Sequence, residues 1–277
     1  GGGAAGEVGG ATAGPTAPLA FGLVRPPGHH ATPGAVAGAR ASARPTPMGF
    51  CILNSAAVAV RRAQDAHGLR RVAVLDIDVH HGNGTEDAFY EDPDVLFVSV
   101  HQRGAYPGTG RAADAGAGEG AGGNVNVPLP AGGGGGGGGG QETAPFPAGA
   151  GDAAARAAFE GVAGPAIERF RPDILVVSAG FDAHWRDPLA SLQYQSSTFH
   201  ALSGAVRDLA TRLCRGRAVF LLEGGYDLEA LEDSVAEALR ALLGLPSAAR
   251  LDSAALHDPP EGAVRQALAE AKSVHGL

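Results

Sequence analysis

Residues 71–86 read RVAVLDIDVHHGNGTE, an apolar, β-branched run that fills abruptly with carboxylates and imidazoles. Its first half has the composition of a strand buried on both faces of a parallel sheet. Asp76, Asp78 and His80 follow at a spacing of two, which sets them on one side of the strand for as long as the backbone stays extended. Carboxylates buried there cost too much to desolvate alone and need a cation or charged, hydrogen-bonding neighbours. Gly82 and Gly84 then break the strand at its carboxyl end, where open α/β sheets bind their ligands. The stretch reads as half of a metal site.

Outward from it, apolar runs alternate with helical patterns. Strands are expected over 19–24, 95–100, 125–127, 173–178 and 218–223. A helix capped by Asn54 is expected to run to about His67, with Ala56, Ala57, Val60 and Ala63 inward and Gly68 as its stop. Further helical patterns cover 85–90, 152–170 with a kink or division at Pro165, 197–213, and 228–243 behind an Asp227 cap. This alternation predicts an α/β fold with a mainly parallel central sheet. Residues 31–48 lack periodicity and read as a loop. The catalytic-type domain is expected over 19–246, preceded by a disordered low-complexity segment at 1–18 and interrupted by a flexible polyglycine insertion at 131–149. Residues 247–277 read as a polar tail with one short helix around 261–271.

With 277 residues, 44% of them hydrophobic, the chain can bury a substantial core as one domain with appendages. A net charge of -8 argues against a nucleic-acid binder. Cys51 and Cys214 supply no disulfide framework and read as reduced core thiols. There is neither a signal-peptide pattern nor an apolar run of bilayer length, so the expectation is a cytoplasmic protein with no membrane partner. The chain opens on glycine and its only methionine is Met48, as expected of a fragment.

Four strands each end in a loop bearing chemical groups: His29 and His30 in RPPGHH, Asp78 and His80, Asp182 in AGFDAHWRDP, and Tyr226 in LEGGYD. Singly, each has a plain structural reading, because adjacent histidines are often surface residues and post-strand aspartates usually cap turns. Together they weigh more, since loops that follow parallel strands gather at one sheet edge. Two carboxylates, one imidazole and water form an open ligand set for zinc or another borderline divalent ion, and an open position is the mark of a catalytic rather than a structural site.

The ordered motifs RPPGHH, GFCILN, DIDVHHGNGTE, YPGTG, AGFDAHWRDP and LEGGYD resemble the zinc-dependent histone deacetylase superfamily, which includes bacterial acetoin-utilisation proteins and acetylpolyamine amidohydrolases. The resemblance runs from about Phe21 to Leu245. It implies an arginase/deacetylase-like three-layer fold, here lacking the family's N-terminal segment, with one catalytic Zn2+, Fe2+ being an alternative in vivo. It assigns Asp78, His80 and Asp182 to the metal. It gives proton transfer to His29 and His30, with Asp76 and Asn83 as their partners, and carbonyl polarisation to Tyr226. It places Phe50, Gly38, Tyr106, Leu189 and Gly225 along the substrate path. Asp76, Asp78, His80, Ser99 and Val100 fall where many relatives bind a structural K+.

The expected reaction is hydrolysis of the acyl amide of acyl-lysine in a protein or peptide. His30 acts mainly as the base and His29 as an electrostatic partner; Asn83, neutral where some relatives carry a second aspartate, leaves His30 the readier base. An acetylated polyamine or other small amine is the alternative substrate, although polyamine-specific members can carry a glutamate where this chain has Leu189. An arginase-type dimanganese site would need more carboxylates than Asp182 and Asp187 provide. From a different class, a truncated domain that binds acylated partners without turnover remains open, as does the oligomeric state.

Overall fold

A computed structural model describes residues 19–33, 38–40, 44–132, 149–253, 256 and 261–277. The low-complexity segment 1–18 and most of the polyglycine insertion lie outside the described residues.

Six apolar runs become β1 (Ala20–Gly22), β2 (Val72–Asp76), β3 (Val95–Gln102), β4 (Asn124–Leu129), β5 (Ile174–Ala179) and β6 (Ala218–Leu222). They pair in parallel throughout, in the order β1-β6-β5-β2-β3-β4. β2 lies inside the sheet with all five residues buried, and its register sets Asp76 beside Ser99 of β3 and Ser178 of β5. Parallel strands require crossovers, and the crossover helices cover both faces. Val72 and Val74 pack with Ala56, Val60 and Ala63 of α1 (Ser55–His67) and with Ala88 and Phe89 of α2 (Asn83–Phe89). Ala73 and Leu75, one residue out of phase, enter the opposite core. That core is covered by α3 (Asp152–Ala158), α4 (Gly164–Phe170), α5 (Ser196–Cys214), α6 (Leu228–Leu242) and α7 (Glu261–His275). The result is three layers. Among the described residues no helix is long and apolar enough to cross a membrane.

The caps follow their sequence signals. Asn54 accepts from the Ala57 amide at 2.9 Å, and Gly68 closes α1 with a φ of 63°. Asp227 accepts from the Ala230 amide at 2.9 Å at the start of α6.

The structure makes three expectations more specific. The helix over 152–170 divides at a π-helical turn, Phe159–Ala163, immediately before Pro165, whose ring and missing N–H cannot continue the regular ladder. The loop over 31–48 is tied by an antiparallel bridge between Thr32 and Thr46. The polar tail proves structural: α7 buries Val264, Ala267 and Ala271 against β4 and the α3–α4 segment, because its small apolar residues repeat at helical spacing between charged ones.

Candidate metal centre and pocket

β2 ends at Asp76, four residues before His80, so the backbone is not extended across all three side chains. Two successive side-chain turns replace the strand: Asp76 Oδ1 accepts from the Asp78 amide at 3.1 Å, and Asp78 Oδ1 accepts from the His80 amide at 2.8 Å. The short polar side chains therefore bend the chain that carries them. From the neighbouring strand exits, Asp182 Oδ1 accepts from the Val79 amide at 3.0 Å, and the Gly224 amide donates to Asp78 Oδ2 at 2.8 Å. Among the described residues Asp78, His80 and Asp182 form the one cluster of metal-type donors, with ligand atoms all within 4.8 Å of one another.

His80 Nδ1 lies 3.1 Å from Asp78 Oδ1 and 3.0 Å from Asp182 Oδ2. Burial opposes charge on this imidazole, but hydrogen bonds to Asp182 and Asp78 outweigh it and hold its pKa up at about 10. Burial and the charge of Asp78 raise the Asp182 pKa. Two fully buried carboxylates thus share a site that favours positive charge. A divalent ion answers that demand, and the donors fit one: two carboxylate oxygens and an imidazole nitrogen converge while the remaining carboxylate oxygens are satisfied by backbone amides.

The histidine pair on the β1 exit loop stands beside this cluster. His29 Nδ1 bonds Asp76 Oδ2 at 2.9 Å, and its Nε2 lies 3.8 Å from Asp78 Oδ1. His30 Nδ1 bonds Asn83 Oδ1 at 2.8 Å, and the two rings are 4.1 Å apart. Burial depresses the His29 pKa, yet the Asp78 and Asp76 carboxylates carry it well above the usual histidine value. Burial and the neighbouring His29 charge push His30 down to about 3. The two imidazoles are therefore shifted in opposite directions, His29 toward the charged form and His30 toward the neutral one.

Sequence reasoning missed what holds this loop. Glu223, 1% exposed, accepts from the Gly28 amide at 2.6 Å, the His29 amide at 3.1 Å and Ser178 Oγ at 3.0 Å. The available signal was a carboxylate closing the otherwise apolar run AVFLLE. His81 was missed as well: it bonds Glu86 Oε2 at 3.1 Å and Thr109 Oγ1 at 2.8 Å, bracing the loop that bears Tyr106.

A pocket of about 390 Å³ opens above the cluster, lined by His30, Gly49, Phe50, His80, Tyr106, Leu189 and Tyr226. Phe50 and Tyr226 rings lie 5.8 Å apart, and Tyr106 meets His30 edge-on at 5.1 Å. Gly225, at φ 136°, sets the backbone from which Tyr226 departs. Gly38 is not among the described lining residues: its backbone packs on Asp92, and its carbonyl accepts from the Glu91 amide. A loop glycine without a neighbouring chemical group carries no positional signal in sequence. Ser99 and Val100 lie on β3 beside the end of β2, and Ser99 Oγ bonds His101 Nδ1 at 2.9 Å.

Fold and site together define a class: a parallel α/β protein with a buried Asp–His–Asp donor cluster beneath an aromatic-walled pocket at the carboxyl edge of its sheet. The chain belongs to the histone deacetylase domain family, which matches residues 4–242. It is 50% identical over 266 residues to a chloroplastic histone deacetylase 10 of Oryza sativa subsp. japonica, covering 95% of this chain and 54% of that protein. It is 41% identical over 232 residues to a histone deacetylase-like amidohydrolase of Pseudomonas aeruginosa, covering 83% and 54%. The crystal structure of the HDA15 HD domain matches with a TM-score of 0.72 and 35% identity, covering 92% of this chain and 60% of that one. The chain spans about half the length of the curated relatives it matches.

Proposed function

We propose that this chain hydrolyses the amide of an N-acylated amine, with acyl-lysine in a peptide or protein as the foremost substrate. The observation that carries the reading is the opening of the buried Asp78–His80–Asp182 cluster into a pocket walled by Phe50, Tyr106 and Leu189. Asp78, His80 and Asp182 would hold a Zn2+ ion, or Fe2+ in its place, which would supply Lewis acidity toward the amide carbonyl and acidify a bound water. A structural K+ ion would sit near Asp76, Asp78, His80, Ser99 and Val100.

The aromatic walls suit an aliphatic stem, and Leu189 at the mouth adds no charge that would select a polycation. Asn83 Oδ1 can only accept, so the His30 Nδ1 bonded to it carries a proton and leaves Nε2 free to accept one from the attacking water. The same nitrogen returns a proton to the departing amine. His29, held by Asp76, stands beside it as an orienting and electrostatic partner. Burial and the Asp78 charge raise the Tyr226 pKa, keeping the phenol protonated as a hydrogen-bond donor to the developing oxyanion.

The test is acetate release from an acetyl-lysine peptide and from an acetylated polyamine by the purified chain with measured zinc and iron content. Turnover that chelation abolishes and Tyr226→Phe reduces by about 10²-fold or more supports the reading. A folded chain that takes up no metal refutes it.

A further inference from the structure

Asp187 stands outside the metal cluster and outside the pocket lining, yet its carboxylate joins the two loops that carry Leu189 and Tyr226. The side chain is buried, its residue 6% exposed. Oδ1 accepts from the Leu189 amide at 3.0 Å, and Oδ2 accepts from the Tyr226 amide at 2.8 Å. The Asp227 amide is a further donor to the same group. Asp187 is itself held in its turn by its own amide, which donates to the His184 carbonyl at 2.9 Å. Outside this clasp, Arg186 pairs with Asp227 at 3.4 Å and Glu229 at 2.9 Å, so the β5 and β6 exit loops are joined at two depths.

The Tyr226 backbone needs such an anchor. It follows Gly224-Gly225, and Gly225 sits at φ 136°, a region that a chain enters and leaves easily only at glycine. The Tyr226 ring meets Phe50 at 5.8 Å and the Arg25 guanidinium at 5.8 Å, and Phe50 is itself 68% exposed. The Asp187 carboxylate is the buried element of that support.

We infer that Asp187 is a positioning residue for the Tyr226 phenol: Oδ2 ties the Tyr226 backbone across to the β5 exit loop, while Oδ1, bonded to Leu189 in Asp187's own turn, keeps the carboxylate aimed at it. The inference rests on Tyr226 acting as the carbonyl's hydrogen-bond donor. A carboxylate suits the task because each oxygen accepts from a different loop, whereas an asparagine has one acceptor oxygen and would turn its NH2 toward the other amide. Displacement of a catalytic group by about 1 Å costs up to ~10²-fold in rate.

The test is a double-mutant cycle on the zinc-loaded chain with an acetyl-lysine peptide: wild type, Asp187→Asn, Tyr226→Phe and the double variant, with metal content measured for each. Hydrogen exchange at the Tyr226 amide accompanies it. Asp187→Asn is expected to lower kcat by ~10–100-fold at unchanged zinc stoichiometry and to speed exchange at Tyr226. In the Tyr226→Phe background the same change should cost under about 3-fold, since it acts through the phenol that is already gone. Multiplicative losses in the double variant, or Tyr226 exchange unchanged in Asp187→Asn, overturn the inference for Asp187 alone. Wild-type kcat in Tyr226→Phe overturns the role of Tyr226 and the inference with it. Should Asp187→Asn not fold, Asp187→Ser, which leaves room for water, enters the same cycle.

Discussion

Gly224→Ala tests the site at the point where backbone and the Asp78 and Asp182 carboxylates press together. A β-carbon built on Gly224 runs into the Asp182 carboxylate and stands 2.7 Å from Asp78 Oδ2. Ordinary contact begins near 3.4 Å, so Asp78 would have to retreat by roughly 0.7 Å, and Asp182 by more. Neither can swing freely. Both are 0% exposed, Asp78 Oδ2 accepts from Gly224's own amide, and Asp182 Oδ1 accepts from Val79. Overpacking of this kind costs about 1–3 kcal/mol of stability. Displaced carboxylates should weaken zinc binding by ~10–100-fold, the scale found when support around a ligand set is disturbed. Gly262→Ala is the matched control: Gly262 lies in the first turn of α7 with nothing within 4 Å of an added β-carbon, and it should gain up to about 1 kcal/mol in helix propensity. The assays are urea unfolding in the presence of chelator, and zinc titration against a chromophoric competitor. Wild-type zinc affinity in Gly224→Ala, with stability within about 0.5 kcal/mol of wild type, would refute the packing of the ligand carboxylates on the β6 exit.

Three further outcomes are expected. Burial raises the Glu86 pKa, but the His81 hydrogen bond and the Asn126 and Asn124 amides outweigh it and bring it from its ordinary 4.5 to about 2. Its contribution, of order 3 kcal/mol, is therefore complete above pH 4.5 and is lost as pH falls through 2; in urea midpoints measured across that window, Glu86→Gln should flatten the dependence, and an unchanged slope would count against it. Asn83→Asp places a carboxylate on His30 Nδ1, which favours the imidazolium, so the acid limb of kcat/KM should move to higher pH by about 1 unit or more; a limb that stays put would show that His30 is not the base. Glu223→Ala strips the acceptor from the Gly28 and His29 amides at about 1–3 kcal/mol each, and chemical denaturation should show a loss of that order, less what is regained by removing a buried carboxylate.

The strands, the α1 and α6 caps and the chemical character of each strand exit are local properties, and they were legible residue by residue. VAVLD, ILVVSA and AVFLL are apolar beyond what one buried face requires, which announces a sheet covered on both sides. The members of the donor cluster stood out in the sequence for a related reason: a buried carboxylate or imidazole is costly anywhere, so its presence after an apolar run already signals a partner. The Asn54 and Asp227 side chains likewise named their own helix starts.

Which groups meet was a different matter, settled by long-range register. The strand order sets β5 between β2 and β6, and only that neighbourhood brings Asp182 onto Val79 and the Gly224 amide onto Asp78. The bend after Asp76 comes from side chains bonding to backbone two residues on, a competition with the strand ladder that hydrophobic spacing does not record. Glu223, Asp187 and Glu86 act by accepting from amides or side chains tens of residues distant in most cases, and Gly38 falls away from the pocket toward Asp92. Composition and periodicity report how much each residue needs burial or a partner. The partner itself is chosen where separate strand exits converge, and that convergence exists only once the sheet has formed.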